Sequence, residues 1–469
     1  MTSTTPTLDK LHEANRVVTG PVRPVMIALV LPVLAEQFLN TLVGLVDIFL
    51  AGNLSGLTVE ATSAVGLASY VGWLMTMLFA LVGMGTTALV ARSYGAEDRP
   101  TGLSVANQSM MLAGIMGVLG ALLMYNLAPH FAAWQAMRGR TYEITVHYLR
   151  IDAISYAGSA LTLVGGAALR GAGDMRTPMK VMLLVNLFNV ILSPLLVYGP
   201  GPVPTLGVDG IVTGTVCARL LGALLILVVF IHGRAGLRLT PALMKPHLAV
   251  VRRILRIGGP AAIDGAIMWT GHFLFLRIVG LMAGDSPGDL NHSYAAQIVV
   301  VRLEAFTYLP ASAWSAACAT MIGQALGAGL PERAKHSGHE GVLQCGLLTG
   351  AIGVIFLVFA TQICGLMNRD PLVIEIAAPV LMLAALFQPV LSTGIVYIGS
   401  LRGAGDTIYP MFFNAAALAF IRVPFGYLLG ITFGLGLLGA WVAVCGDMVL
   451  RMTLALIRFQ RGRWVATRV

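Results

Sequence analysis

The sequence predicts an all-α polytopic membrane protein: twelve transmembrane helices, arranged as two six-helix parallel repeats (an N-lobe and a C-lobe) around a central cavity. The first observation is composition, since 57% of the residues are hydrophobic and 11% are charged, against roughly 25% charged in soluble domains. The second is a series of apolar stretches long enough to cross a bilayer. The third is a motif that occurs once in each half of the chain.

A helix needs about 20 apolar residues to span the hydrocarbon core of a membrane. Twelve stretches meet this requirement and leave no room for a soluble domain between them. They are residues 25–51, 62–91, 104–125, 142–168, 178–198, 208–231, 257–283, 291–323, 341–363, 374–400, 410–430 and 436–458.

The remaining segments are short and polar. The first 24 residues have no apolar core, which argues against a cleavable signal peptide. The expected organisation is a cytoplasmic N-terminal tail at 1–24, an N-lobe with helices 1–6 at 25–231, a basic cytoplasmic linker at 232–256, a C-lobe with helices 7–12 at 257–458, and a cytoplasmic C-terminal tail at 459–469.

Basic residues lie mainly on one side of this topology. The tails and the even-numbered loops hold 19 of the 30 Lys and Arg residues, and the odd-numbered loops hold three. Because basic loops stay in the cytoplasm, we expect a multi-pass inner-membrane protein with both termini cytoplasmic. The net charge of +9 then reflects topology and contact with anionic lipid. We expect a monomer in the bilayer, with no nucleic-acid partner.

Five cysteines lie in or at the edge of the apolar spans. They form no CxxC pair and no histidine lies at ligand spacing, so neither a disulfide framework nor a metal site is indicated. Small packing residues are the expected role.

The repeated motif reads LRGAGDMRTPM at residues 169–179 and LRGAGDTIYPM at 401–411, 232 residues later. Weaker matches share this order, among them Pro32-x-x-x-Glu36 in span 1 and Pro260-x-x-x-Asp264 in span 7. Since each half begins and ends inside, the halves are parallel repeats, an architecture that places a substrate cavity between repeats.

The motif itself predicts a tight turn between helices. Its glycines permit positive φ, Asp174 and Asp406 can cap the next helix, and Arg170 and Arg402 lie where a helix C-terminus favours a cation. A gating role for the Arg–Asp pair is the alternative.

Two LRGxGD copies, after spans 4 and 10, resemble the MATE family, the multidrug and toxic compound extrusion transporters. GLVDIFLAG at 44–52, GPGP at 199–202 and the segment 436–464 are similar to further family segments. The resemblance covers about residues 20–465. It implies an antiporter that expels organic, often cationic, compounds in exchange for Na⁺ or H⁺.

Span 1 carries two carboxylates, Glu36 and Asp47, with Asn40 between them. The eleven-residue spacing places both acids on one face of a helix, about 16 Å apart. Ionisable groups within a span are costly and indicate function. We therefore predict a cation-coupling site that loads a proton or Na⁺, and the resemblance assigns Asp47 to the family's first-helix Asp. A structural hydrogen bond to a neighbouring helix is the alternative.

The second half differs at these positions. Asp264 corresponds to Glu36, but Met268 and Phe275 correspond to Asn40 and Asp47. The ion site is therefore expected in the N-lobe, with Asp264 a candidate for cation or substrate contact. His272 is either a proton partner of Asp264 or a packing residue.

The resemblance leaves the coupling ion open. NorM-like members carry a Glu where this chain has Met268 and an Asp where it has Leu391, and DinF-like members carry an Asp where it has Ser193. Neither acidic set is complete.

Substrate-cavity residues are predicted in the C-lobe: Glu304, His272, Met268 and Trp269. Asp447 and Arg451 are spaced i,i+4 on span 12 and are expected to pair with each other.

The sequence thus predicts a secondary active antiporter that exports small amphipathic or cationic organic compounds by alternating access. H⁺ or Na⁺ is the coupling ion and no other cofactor is expected. A flippase for lipid-linked precursors is the alternative. An enzyme is not indicated, since the chain has neither a nucleotide-binding loop nor a nucleophile–His–Asp set.

Overall fold

The computed structural model describes residues 17–54, 57–135, 137–199, 205–282 and 292–467. Residues 1–16 of the expected N-terminal tail, residues 468–469 of the C-terminal tail and residues 200–204 before span 6 lie outside these ranges. Within them the chain is helical and contains no β-strand. The α-helices are α1 (Val22–Gly52), α2 (Thr58–Gly95), α3 (Arg99–Trp134), α4 (Gly139–Ile154), α5 (Tyr156–Gly171), α6 (Arg176–Tyr198), α7 (Val208–Ile231), α8 (Leu248–Gly280), α9 (His292–Gly327), α10 (Pro331–Met367), α11 (Pro371–Gly403), α12 (Ile408–Ala417), α13 (Val423–Tyr427) and α14 (Gly436–Gln460).

In the described residues, each of the twelve predicted spans lies mainly on one or more of these helices, and residues 283 and 291, at the ends of the seventh and eighth spans, are outside the described ranges. Ten of the described helical segments meet the length and hydropathy expected of membrane spans. The fourth span is divided into α4 and α5 at Ser155, and the eleventh combines α12 and α13 with two π-helical segments, Leu418–Arg422 and Leu428–Thr432. The helices continue past the apolar stretches, because some of them begin at caps in the polar sequence before the stretch. At the start of α3, for example, the Asp98 carboxylate accepts from the Thr101 amide.

The chain forms two compact units. One contains Leu31–Gly258, and the other contains Val18–Val30 and the chain from Gly259 onward. In the first unit α5 packs against α2 and α3, and α6 packs against α7. In the second, α11 packs against α9, α10 and α14.

The duplication predicted from the sequence is visible in the helix packing. A β-carbon on Gly171 of α5 would lie 2.9 Å from the carbonyl oxygen of Thr87 in α2. A β-carbon on Gly403 of α11 would lie 2.7 Å from the carbonyl carbon of Ala319 in α9. Both partners are related by the same 232-residue offset, so each unit uses a glycine at the end of the same helix to bring two backbones together.

The linker after α7 is an ordered part of the first unit. The Asn107 side chain of α3 donates to the carbonyl of Arg238 at 2.9 Å and accepts from the amide of Thr240 at 2.8 Å. Its neighbour Gln108 donates to the carbonyl of Leu243 at 2.5 Å. Two adjacent amide side chains thereby satisfy backbone groups that have no helical partner.

Candidate functional site

Asp47 lies near the end of α1, and its side chain is buried in the first unit, with 7% of the residue exposed. The Thr215 hydroxyl of α7 lies 3.0 and 2.9 Å from its two carboxylate oxygens. Behind Thr215, the Asn189 amide of α6 donates to the Thr215 hydroxyl at 3.1 Å and to the Ser193 hydroxyl at 3.1 Å. We call these four residues the Asp47 network; every partner of the carboxylate in it is neutral.

Small residues allow this network to form. A β-carbon on Gly214 would lie 2.8 Å from the Cα of Ser193, and one on Gly210 would lie 2.7 Å from the carbonyl carbon of Leu196. Because the backbones of α7 and α6 are this close, the residue after Gly214, Thr215, reaches Asn189 on the facing helix.

The network also has unused oxygen acceptors. In the described part of the chain, the side-chain oxygens of Asn186 and Asn189 are buried and have no hydrogen-bond donor. Asn186 lies one turn before Asn189 on the same face of α6. A carboxylate, a hydroxyl and amide carbonyls are hard oxygen ligands of the kind that small cations prefer, and a protonated carboxyl could equally donate to them.

No arginine or lysine pairs with Asp47 among the described residues. Arg219, one turn after Thr215 on α7, instead binds Asp152 at 2.7 Å and the Ser155 hydroxyl at 3.0 Å. The charge of Arg219 is therefore neutralised by Asp152, and Asp47 is left without an ion-pair partner.

The predicted stripe on span 1 is not one site in the structure. The Glu36 carboxylate binds the guanidinium of Arg170 at 2.8 Å, and Asn40 is exposed. Both residues lie outside the Asp47 network. The neighbouring helices supply a different partner at each level of α1: Arg170 for Glu36 and Thr215 for Asp47.

Asp264 has the equivalent arrangement in the second unit. Its carboxylate, in a residue that is 1% exposed, pairs with Arg402 and accepts from the Asn414 amide at 2.7 Å. The arginine of each LRGAGD motif therefore neutralises the acid of the first helix in its own repeat. His272, for which proton partner of Asp264 and packing residue were the two alternatives, is not among the hydrogen-bond or ion-pair partners of Asp264 in the described residues.

Each LRGAGD motif forms the tight turn that its sequence predicts, with φ of 91° at Gly173 and 88° at Gly405. The Asp174 carboxylate accepts from the Thr177 amide at 3.0 Å and so caps α6. Among the described residues, Asp174 pairs with Arg234 at 3.0 Å and not with Arg170 of its own motif, and a gating role for these residues stays a prediction.

In the second motif, Asp406 pairs with Arg458 of α14 at 2.9 Å. Burial raises the pKa of Asp406 above its usual value, and the hydrogen bond from Arg458 opposes that shift. In each unit the motif thus connects the first helix and its own turn to a third element, which is the segment just after α7 in the first unit and the end of α14 in the second.

The second unit contains a cavity of about 420 Å³. Four residues were predicted to line a substrate cavity. Glu304, His272 and Met268 line this one, whereas Trp269 is not among its lining residues. Asp447 pairs with Arg451 as the i,i+4 spacing predicts.

Sequence reasoning missed several residues of both sites. Thr215 and Asn189 are neutral residues in apolar stretches, although Asn186, Asn189 and Ser193 share one face of α6 by their spacing. Arg422, which lines the cavity, is visible in the sequence as a charge within a span.

Comparisons with known proteins agree with this architecture. The family model described as MatE matches residues 32–195 and 260–428, one segment in each half. The probable multidrug resistance protein NorM of Thermotoga maritima is 31% identical, and the match covers 94% of this chain and 93% of that protein. The multidrug resistance protein PmpM of Pseudomonas aeruginosa is 25% identical, over 87% and 84% of the two chains.

Solved structures show the same fold. The crystal structure of a MATE in the bent conformation is similar with a TM-score of 0.87 at 22% identity, covering 96% of each chain. A MOP superfamily transporter from Pyrococcus furiosus is similar with a TM-score of 0.87 at 21% identity, over 97% of this chain and 99% of that one.

Proposed function

The chain belongs to the MatE family, and on that premise we propose that it is a secondary active antiporter that exports small amphipathic or cationic organic compounds. Two relatives that match this chain along most of their length are named multidrug resistance proteins, which supports this assignment. We further propose that H⁺ or Na⁺ enters as the exported compound leaves, by alternating access, and that Asp47 is the residue that takes up the ion.

The observation that carries the proposal is the neutral surrounding of Asp47. Glu36, Asp152, Asp264 and Asp447 each pair with an arginine, which neutralises those carboxylates in this structure. Among the described residues, the Asp47 carboxylate accepts from the Thr215 hydroxyl, which in turn accepts from the Asn189 amide, and no arginine forms an ion pair with Asp47. An ionised carboxylate that is buried without a counter-charge is costly, so Asp47 is stabilised when it holds a proton or a cation.

This property suits an exchange cycle. Such a carboxylate binds the ion from one side of the membrane and releases it to the other side. Because it can bind either the ion or the substrate, the flux of one is linked to the flux of the other. The acids that pair with arginine lack this property, because the arginine already neutralises them and they need neither a proton nor a cation.

The test is transport into proteoliposomes with a fluorescent organic cation. The purified protein is reconstituted, and either an acidic lumen or a Na⁺-loaded lumen drives uptake. We expect accumulation above that of protein-free liposomes under one of the two gradients, which identifies the ion. If the protein moves the cation under neither gradient and instead translocates a labelled lipid, the exporter proposal fails and the flippase alternative replaces it.

A further inference from the structure

The cavity in the second unit has the size of a small-molecule site, and its charged lining is mainly basic. Three arginines line it, Arg402, Arg422 and Arg451, against a single carboxylate, Glu304. Its apolar wall includes three aromatic residues, Phe275, Tyr308 and Trp441.

The arginines outnumber the acids that bind them. Asp264 is engaged by Arg402. Asp447, which is fully buried, accepts from both Arg422, at 2.7 Å, and Arg451, whose Nε donates at 2.9 Å. Two guanidinium groups thus share one carboxylate, and one positive charge beside the cavity has no carboxylate of its own among the residues that the structure describes.

Arg422 also has an unused donor. Its Nε is buried and has no acceptor in the described part of the chain. The residue ends the π-helical segment Leu418–Arg422, two positions before Pro424, whose missing N–H interrupts the α-helical hydrogen bonds. Such π segments frequently occur at functional sites.

Glu304 is the remaining negative group. Its carboxylate forms no hydrogen bond or ion pair with any described residue, although it lines the same cavity as Arg422. Glu304 balances the extra arginine through space, and a ligand anion would take over this balance.

We propose that this cavity binds the carboxylate of a small aromatic compound, with Arg422 as the anchoring residue. Arg422 offers the planar donors that recognise a carboxylate in two-point fashion, and the aromatic wall accommodates a ring. The cavity is too small for a two-chain lipid. The inference deepens the proposed function, because it makes amphipathic carboxylates and zwitterions substrates alongside cations, but binding is measured without any gradient.

The experiment is calorimetric titration of the purified protein in detergent, with protein-free micelles as the blank. The probes share one ring system and differ in charge: 1-naphthoate, (1-naphthyl)methylammonium and 1-naphthyl phosphate. We expect the protein to bind naphthoate, Arg422→Gln to weaken this binding about tenfold, as expected for one charged hydrogen-bond partner, and Asp98→Asn, which keeps the cap of α3, to leave it unchanged.

Glu304→Gln supplies a test that misfolding cannot imitate, because removing the competing negative charge should tighten naphthoate binding several-fold. The proposal is overturned if the wild-type protein prefers the ammonium probe, if only the phosphate binds, or if Glu304→Gln weakens naphthoate binding. If the wild-type protein binds naphthoate but moves no organic cation in liposomes under either gradient, the antiporter proposal is contradicted and the proposed carboxylate site is not.

Discussion

At the scale of single residues, the buried carboxylates of this protein fall into two kinds. Asp447 receives two arginines, whereas Asp47 receives a threonine hydroxyl. A hydroxyl can both donate and accept, so Thr215 can serve the ionised and the protonated forms of Asp47 alike. An arginine would favour the ionised form only.

If the coupling ion is H⁺, Thr215→Val is expected to raise the apparent proton affinity about tenfold, because it removes a hydrogen bond that stabilises the ionised carboxylate without changing the side-chain shape. If the ion is Na⁺, the loss of the hydroxyl oxygen as a ligand is expected to lower the apparent affinity instead. The measurement is the ion concentration at half-maximal transport. Thr215→Ser, which keeps the hydroxyl, is the matched control and should resemble the wild type. Equal ion affinities in the valine and serine variants would remove Thr215 from the site.

Sequence reasoning identified Asp47 because a charge within an apolar span is conspicuous. It could not identify Thr215 or Asn189 as its partners. A neutral polar residue adds little free-energy cost to a membrane helix, so it is not conspicuous in an apolar span. Its contacts depend on which faces of α6 and α7 meet, which the sequence does not show.

At the scale of helices, the LRGAGD turns hold the ends of several elements together through arginine. Asp264 is 1% exposed, and Arg402 is its one ion-pair partner in the described chain. Glu36 is more accessible, with its side chain 14% exposed.

Arg402→Gln is expected to destabilise the protein by about 3 kcal/mol, because it leaves a buried carboxylate without its counter-charge. Arg170→Gln should cost less, since water reaches Glu36. Thermal unfolding in detergent compares the two, and the double variant Asp264→Asn, Arg402→Gln should recover part of the loss. A larger effect at Arg170 would contradict this ranking.

The backbone contact between α9 and α11 gives a second prediction at this scale. Gly403→Ala should destabilise the protein by about 1–3 kcal/mol, because the added methyl group meets backbone atoms of Ala319 that cannot yield. Gly346→Ala in α10 is the control: nothing lies within 4 Å of its β-carbon, and alanine favours the helix. Equal thermal stability of both variants would show that the contact is not close-packed.

The helices themselves were predictable from the apolar stretches, but their ends and interruptions were not. The break at Ser155 between α4 and α5 lies inside a continuous apolar span. The π-helical segments of span 11 depend on how the chain around Pro424 packs, which a hydropathy pattern does not encode.

At the scale of the whole molecule, duplication made the fold predictable. Equal spacing of motifs in two halves requires equal helix order, and the structure has equivalent glycine contacts and equivalent acid–arginine pairs in both units. The divergence of the halves explains why their sites differ: the Asp47 network belongs to the first unit, and the arginine-lined cavity to the second.

The distribution of basic residues predicts the orientation of the chain. In a variant without the native cysteines, Gln135→Cys should react with a membrane-impermeant maleimide in intact spheroplasts. Lys245→Cys, in the basic linker, should react only after permeabilisation. Both positions are exposed, so a difference reports sidedness. The reverse pattern would place the termini outside.

The most direct test of the account is gradient-driven transport by Asp47→Asn beside the wild type. Asn is nearly isosteric with Asp but cannot take up a proton or neutralise a cation, so we predict that uptake falls to the level of protein-free liposomes. Asp98→Asn is the control, because Asp98 caps α3 outside the membrane spans and Asn caps equally well; it should transport normally. Undiminished, gradient-dependent transport by Asp47→Asn would contradict the assignment of Asp47 as the coupling residue.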